Sequence, residues 1–99
     1  MINAKLELLD SLEDIDSSVK CAHIFYGRLD ITLNVSYSDA EYVQFLEQLD
    51  FYYDNSWDRQ NLFGLVWFND DSSWLQRREY DESESWEICS TPEIPDNLF

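Results

Sequence analysis

The fold is indicated most clearly by the stretch from Val19 to Tyr37, VKCAHIFYGRLDITLNVSY. Gly27 and Arg28 separate two runs that are rich in β-branched and aromatic residues, a pattern typical of two strands joined by a tight turn. In the second run, from Leu29 to Tyr37, apolar and polar residues alternate, as in a strand with one buried face. The sequence therefore predicts a β-hairpin here.

A helix signal follows the hairpin directly. Ser38-Asp39-Ala40-Glu41 fits a capping box, in which the Ser38 side chain and the Glu41 side chain each satisfy a backbone amide of the first turn. Tyr37 and Tyr42 occupy the positions of a hydrophobic staple. Helical spacing of the apolar residues that follow predicts a helix over Asp39–Leu49, and a continuation to Tyr53 stays open.

Three further apolar segments predict a meander of strands at 62–68, 74–80 and 85–89, joined by polar turns. Near the N-terminus, Leu6, Leu9 and Leu12 suggest a short amphipathic helix, although a strand over 6–9 fits as well. Pro92 and Pro95 favour an extended tail. The order of elements predicts an α+β fold: an antiparallel sheet of about five strands with one or two helices packed on one face. At 99 residues the chain should form a single domain over 1–99.

The charge of the chain is its most unusual property. Twenty-one acidic residues against six basic ones give a formal net charge of −15, yet 44% of the residues are hydrophobic, which favours a folded domain over a disordered one. All the acids except Asp30 fall in three blocks, at 1–18, 39–58 and 69–99, and the block at 39–58 contains no base. Such a charge repels nucleic acid and anionic membranes, so neither is expected as a direct partner.

Motifs for catalysis, metals and cofactors are weak or missing. His23 is the single histidine and lies in an apolar strand, so a structural role is expected. Asp54 begins a sequence that resembles a calcium loop, but Arg59 replaces the required glycine and Leu65 the required glutamate. The chain is therefore expected to be no enzyme and to use no metal or cofactor. Without a signal peptide or a membrane span, a cytoplasmic location is expected, in the host cell if a phage encodes the chain.

Carboxylate spacing suggests a use for the charge. Residues two apart on a strand, or three to four apart on a helix, lie at distances similar to those between phosphates of a nucleic acid strand. Two such rows are candidates for partner binding, and each has an aromatic anchor beside it. Tyr53 is a further candidate anchor. These candidate residues are Glu47, Asp50, Asp54 and Asp58 with Trp57, and Glu79, Asp81, Glu82 and Glu84 with Trp86. A third row is Glu7, Asp10 and Asp14.

In size, charge and carboxylate rows, the chain resembles the small acidic DNA-mimic inhibitors of phages, the anti-CRISPR and anti-restriction class. The resemblance implies an inhibitor that occupies the basic nucleic-acid site of a nuclease or CRISPR effector. An alternative is an immunity protein or antitoxin that neutralises a nuclease toxin, since such proteins are also small and acidic. A generally acidic surface that serves only solubility is the third interpretation, and the sequence leaves a homodimer open.

Overall fold

A computed structural model of the chain describes residues 1–54, 61–80 and 83–90. The described elements are, in chain order, β1 (Ile2–Asn3), α1 (Ala4–Glu13), β2 (Val19–Tyr26), β3 (Leu29–Leu33), α2 (Asp39–Gln48), β4 (Tyr52–Tyr53), β5 (Leu62–Phe68), β6 (Ser73–Tyr80) and β7 (Ser83–Ser90). Among these residues, no helix has the length and apolar character needed to cross a bilayer.

Five of the strands form one antiparallel sheet in the order β3-β2-β5-β6-β7. Ile24 on β2 lies opposite Ile31 on β3 and Gly64 on β5, and β6 and β7 pair along their whole length. The predicted α+β class, the hairpin, the helix after it and the three-stranded meander are thus confirmed. A second, two-stranded sheet joins β1 to β4 and was not predicted.

One hydrophobic core lies between the sheet and the two helices. Ala4 and Leu8 of α1 and Phe45 of α2 belong to the same buried cluster as the inward-facing strand residues, such as Ile24 and Val66. Both helices therefore cover the same face of the sheet, as the sequence predicts. The opposite face of the sheet, called the outer face below, has no described helix on it.

The helix α2 begins as its capping box predicts. The Ser38 side chain accepts a hydrogen bond from the Glu41 amide, and the Glu41 carboxylate accepts one from the Ser38 amide. The rings of Tyr37 and Tyr42 stack with centroids 5.6 Å apart, which completes the predicted staple. The helix ends at Gln48 and does not continue to Tyr53, because Tyr53 pairs with Ile2 in the small sheet and is buried there.

The end of the second predicted strand and the buried side of α1 differ from the prediction. The strand β3 ends at Leu33, since Ser36 adopts a left-handed backbone with φ of 62°, and Val35 is therefore exposed. In α1 the buried stripe begins with Ala4 and Leu8, while Leu6 points to solvent. The leucine-rich sequence of α1 contains two overlapping apolar stripes, and contact with the sheet selects between them.

Candidate partner-binding surface

The solvent side of α1 and α2, called the helical surface below, is strongly acidic. Residues 1–18 and 39–54 contain ten acids and one base, Lys5. Six of the acids in α1, its C-cap and α2 are exposed: Asp10, Glu13, Asp14, Asp39, Glu41 and Glu47. Because both helices lie on one face of the sheet, these carboxylates belong to one layer of the molecule.

The start of α1 is tied to the end of α2. Asn3 caps α1 by accepting a hydrogen bond from the Leu6 amide, and its side-chain amide donates to Asp50 at 2.9 Å. The Ala4 amide also donates to the Phe51 carbonyl at 2.9 Å. Asp50 therefore has a structural role, holding the α1 cap, in addition to its place in the predicted carboxylate row.

The last turns of both helices are acidic. Asp10 and Glu13 lie in the last turn of α1, Glu47 lies in that of α2, and neither turn contains a basic residue. A helix carries partial negative charge at its C-terminus, so a carboxylate there is unfavourable by about 0.3–1 kcal/mol. Asp10 and Glu13 are also three residues apart, which adds repulsion between like charges. Asp10, Glu13 and Glu47 are thus placed where they lower the stability of the fold, whereas Asp39 and Glu41 lie in the first turn of α2, where the helix dipole stabilises them.

A buried ion cluster connects the sheet to α1. The Arg77 side chain on β6 has no exposed surface, and its guanidinium lies 2.8 Å from a carboxylate oxygen of Glu7 and 3.0 Å from one of Glu84. Glu84 also accepts hydrogen bonds from the amides of Asn61 and Leu62, at 2.6 and 2.9 Å. One arginine thus neutralises carboxylates from α1 and β7, and Glu84 in turn fixes the start of β5.

Aromatic rings complete this ion cluster. The Tyr53 hydroxyl contacts both Glu7 and Arg77, and the Arg77 guanidinium lies 5.3 Å from the centre of the Trp86 ring. Burial, followed by the hydrogen bond to Glu7, raises the pKa of Tyr53 far above the usual value for tyrosine. The phenol consequently stays protonated throughout the physiological pH range.

The ion cluster corrects three of the expectations. Glu84 is 2% exposed and Tyr53 is 1% exposed, so neither lies on a surface that a partner can reach. Glu7 is occupied by Arg77, which removes it from the row with Asp10 and Asp14. The expected extension of the Glu79 row to Glu84 is also wrong, because β7 folds back antiparallel and places Glu84 opposite Glu79.

The other predicted residues lie in different surroundings. Glu47, Asp50 and Glu79 are exposed, while Asp54 and Trp86 are half-buried. Because α2 ends before Asp50, the series Glu47, Asp50 and Asp54 does not follow one helix. Trp57, Asp58, Asp81 and Glu82 lie outside the described residues.

Two exposed ion pairs and the contact of His23 with Asp30 lie on strands of the sheet or in the turn before β6, away from the helical surface. Asp71, Asp30 and Glu87 lie within 3.0 Å of Lys20, His23 and Arg78 respectively. The hydrogen bond to Asp71 raises the pKa of Lys20 above its ordinary value. In contrast, Asp10, Glu13 and Glu47 form no ion pair with any residue in the described ranges.

Sequence reasoning missed the ion cluster, although a signal for it was present. Arg77 is two residues from Leu75, and both point to the buried face of β6. Period-two alternation therefore places this arginine inside the domain, where an acidic partner is needed.

The described residues contain no group of three or more histidine, cysteine or acidic side chains arranged to hold a metal ion. The arrangement instead offers an exposed layer of carboxylates that form no ion pair with the described residues, which suits the binding of a positively charged surface. No protein-family model, curated protein or solved structure matches this chain.

Proposed function

We propose that this protein is an inhibitor that binds, through the acids of its helical surface, to the basic nucleic-acid-binding site of another protein. The target is a host defence protein or a DNA- or RNA-processing protein, as for inhibitors of the anti-CRISPR or anti-restriction type. Inhibition follows from occupancy, since a site filled by the helical surface cannot admit its nucleic acid.

The position of acids in the last turns of both helices carries this proposal. A surface selected only for solubility gains as much from acids at helix N-termini, where the helix dipole stabilises them. Asp39 and Glu41 have such positions in α2, but Asp10, Glu13 and Glu47 occupy the unfavourable ends and form no ion pair among the described residues. Residues that reduce stability are commonly retained for function.

The distribution of the cations supports the same proposal. Lys20 and Arg78 each lie beside an exposed acid outside the helices, and Arg77 neutralises Glu7 of α1 and Glu84 of β7. None of these four ion pairs involves an exposed acid of α1 or α2. An unneutralised acidic layer attracts a basic groove over long distances and accelerates association at low salt.

The proposal is tested by affinity capture from a bacterial lysate with three versions of the immobilised chain. The first is the wild type. The second carries Asp10→Asn, Glu13→Gln and Glu47→Gln, called the amide variant below, which removes three carboxylates and changes the net charge from −15 to −12. The third carries Asn34→Lys, Ser36→Lys and Ser90→Lys, called the lysine control below, which reaches the same net charge of −12 at exposed positions after β3 and at the end of β7.

We expect the wild type and the lysine control to retain the same nucleic-acid-binding proteins at about 50 mM salt and to release them near about 200 mM. The amide variant should bind these proteins about 10- to 100-fold more weakly, which corresponds to three interfacial ion pairs of about 0.5–1 kcal/mol each. Equal losses in the amide variant and the lysine control would show that net charge alone matters and would contradict the proposal.

A further inference from the structure

The outer face of the sheet is apolar at its centre. The strand register places Trp67 between Cys21 and Trp74, and places Leu65 between His23 and Gln76 in the adjacent row. Phe25 and Phe63 are opposite each other, and their rings stack with centroids 5.4 Å apart. Aromatic and aliphatic side chains thus form a continuous patch across β2, β5 and β6.

This patch is exposed. Phe25, Phe63 and Trp67 have 39%, 41% and 38% of their surface accessible, and the buried core lies on the other side of the sheet. Large apolar side chains that are contiguous and exposed are typical of surfaces that bind another protein. Single exposed apolar residues, such as Val43 on α2, carry no such meaning.

The patch also has few acids beside it for so acidic a chain. Its neighbouring acids Asp30 and Glu87 lie 2.7 and 3.0 Å from His23 and Arg78. At one end of the face, Asp71 lies 2.8 Å from Lys20. Two copies with a net charge of −15 repel each other, and among the described surfaces the outer face brings the fewest unneutralised acids together.

The dimensions of the face suit a reversible contact. With strands about 4.8 Å apart and about 3.3 Å per residue, five strands of up to eight residues cover about 500 Å² per copy, or about 1,000 Å² for two. This value lies at the lower limit for a specific interface. The contact should therefore form reversibly and depend on protein concentration.

We infer that two copies of this chain associate through the outer faces of their sheets, with the patch around Phe25, Phe63 and Trp67 at the centre of a symmetric interface. Both helical surfaces then point away from the contact and stay accessible. The dimer does not depend on the proposed function, since the two surfaces lie on opposite sides of the domain.

The inference is tested by sedimentation velocity over a range from about 5 to about 300 µM protein, at about 50 and about 500 mM salt. The wild type should shift from monomer to dimer as its concentration rises. The dimer fraction should be greater at high salt, because salt screens the repulsion between the two acidic chains. Binding to a basic target has the opposite salt dependence, so the two proposals can fail separately.

Two variants and a matched control locate the interface. Phe63→Glu and Gln76→Glu each add a charge to the patch and should leave the chain monomeric over the whole range. Val43→Glu adds the same charge on α2, at an apolar position that is 52% exposed. This control should still dimerise, only slightly more weakly than the wild type. Far-ultraviolet circular dichroism checks that each variant stays folded.

The thiols provide a second measurement. Cys21 and Cys89 lie in the same row as Trp67 and Trp74, so alkylation of both should become slower as the wild-type concentration rises. A chain that stays monomeric at about 300 µM and high salt overturns the inference. A dimer that high salt disperses, or that Val43→Glu disrupts as strongly as Phe63→Glu, overturns it as well.

Discussion

Removing the acids at the helix ends should make the protein more stable. The amide variant replaces three carboxylates in the last turns of α1 and α2 by isosteric amides. Each carboxylate there opposes the helix dipole by about 0.3–1 kcal/mol, and the pair Asp10 and Glu13 adds about 0.2–0.5 kcal/mol of repulsion. The free energy of unfolding should therefore rise by about 1–3 kcal/mol at low salt.

Thermal unfolding measures this gain. For a domain of this size, about 1 kcal/mol raises Tm by about 4–8 °C, so an increase of at least about 4 °C is expected. Salt screens interactions with the helix dipole, and the difference between wild type and variant should shrink at about 500 mM salt. The lysine control separates this local effect from relief of overall repulsion, because its net charge is the same.

Two results would contradict a destabilising role of these three carboxylates. A variant with an unchanged or lower Tm would show that the three carboxylates make stabilising contacts. An equal rise in the lysine control would attribute the gain to net charge, and the positions at the helix ends would lose their significance.

Three further predictions concern the interior. Arg77→Met leaves two buried carboxylates without their cation and should lower the free energy of unfolding by about 3–5 kcal/mol in urea titrations; a loss below about 1 kcal/mol would contradict the ion cluster. The pKa of Tyr53 is higher in the folded state than its ordinary value of 10.0. The Tyr53 phenol therefore contributes fully to the free energy of unfolding below pH 10.0, and this contribution is lost progressively as the pH rises above that value. Stability measured from about pH 9 to 12 should fall less steeply in Tyr53→Phe than in the wild type, and an equal slope would argue against this titration. In Gly64→Ala the new Cβ would lie 2.6 Å from the His23 carbonyl oxygen, so β2 and β5 must separate and Tm should drop, whereas an unchanged Tm would contradict the close approach.

Local patterns predicted the elements whose signals are confined to neighbouring residues. The bounds of β2 and β5 follow from runs that are rich in β-branched and aromatic residues, and the start of α2 follows from its capping box. Contacts between distant segments were not predictable in the same way. Ile2 pairs with Tyr53, and this pairing prevents the continuation of α2 to Tyr53. It depends on two residues that are far apart in sequence.

The predicted and the described sites differ because some of the predicted carboxylates are buried. A carboxylate row read along the chain treats Glu79 and Glu84 alike, because both are acids in a polar segment. The antiparallel return of β7 and the inward position of Arg77 give Glu84 a buried partner, while Glu79 stays exposed. Charge composition thus indicated the acidic character of the surface, whereas tertiary contacts determined which carboxylates are available.

Competition with nucleic acid measures whether the helical surface occupies a nucleic-acid-binding site. A protein captured by the wild type is mixed with a fluorescent duplex or single-stranded oligonucleotide that it binds, and fluorescence polarisation is followed as the chain is added. We expect the chain to release the oligonucleotide in a concentration-dependent manner, and the amide variant to require about 10- to 100-fold more protein. A ternary complex, in which target, oligonucleotide and chain remain bound together, would contradict the claim that the helical surface occupies a nucleic-acid site.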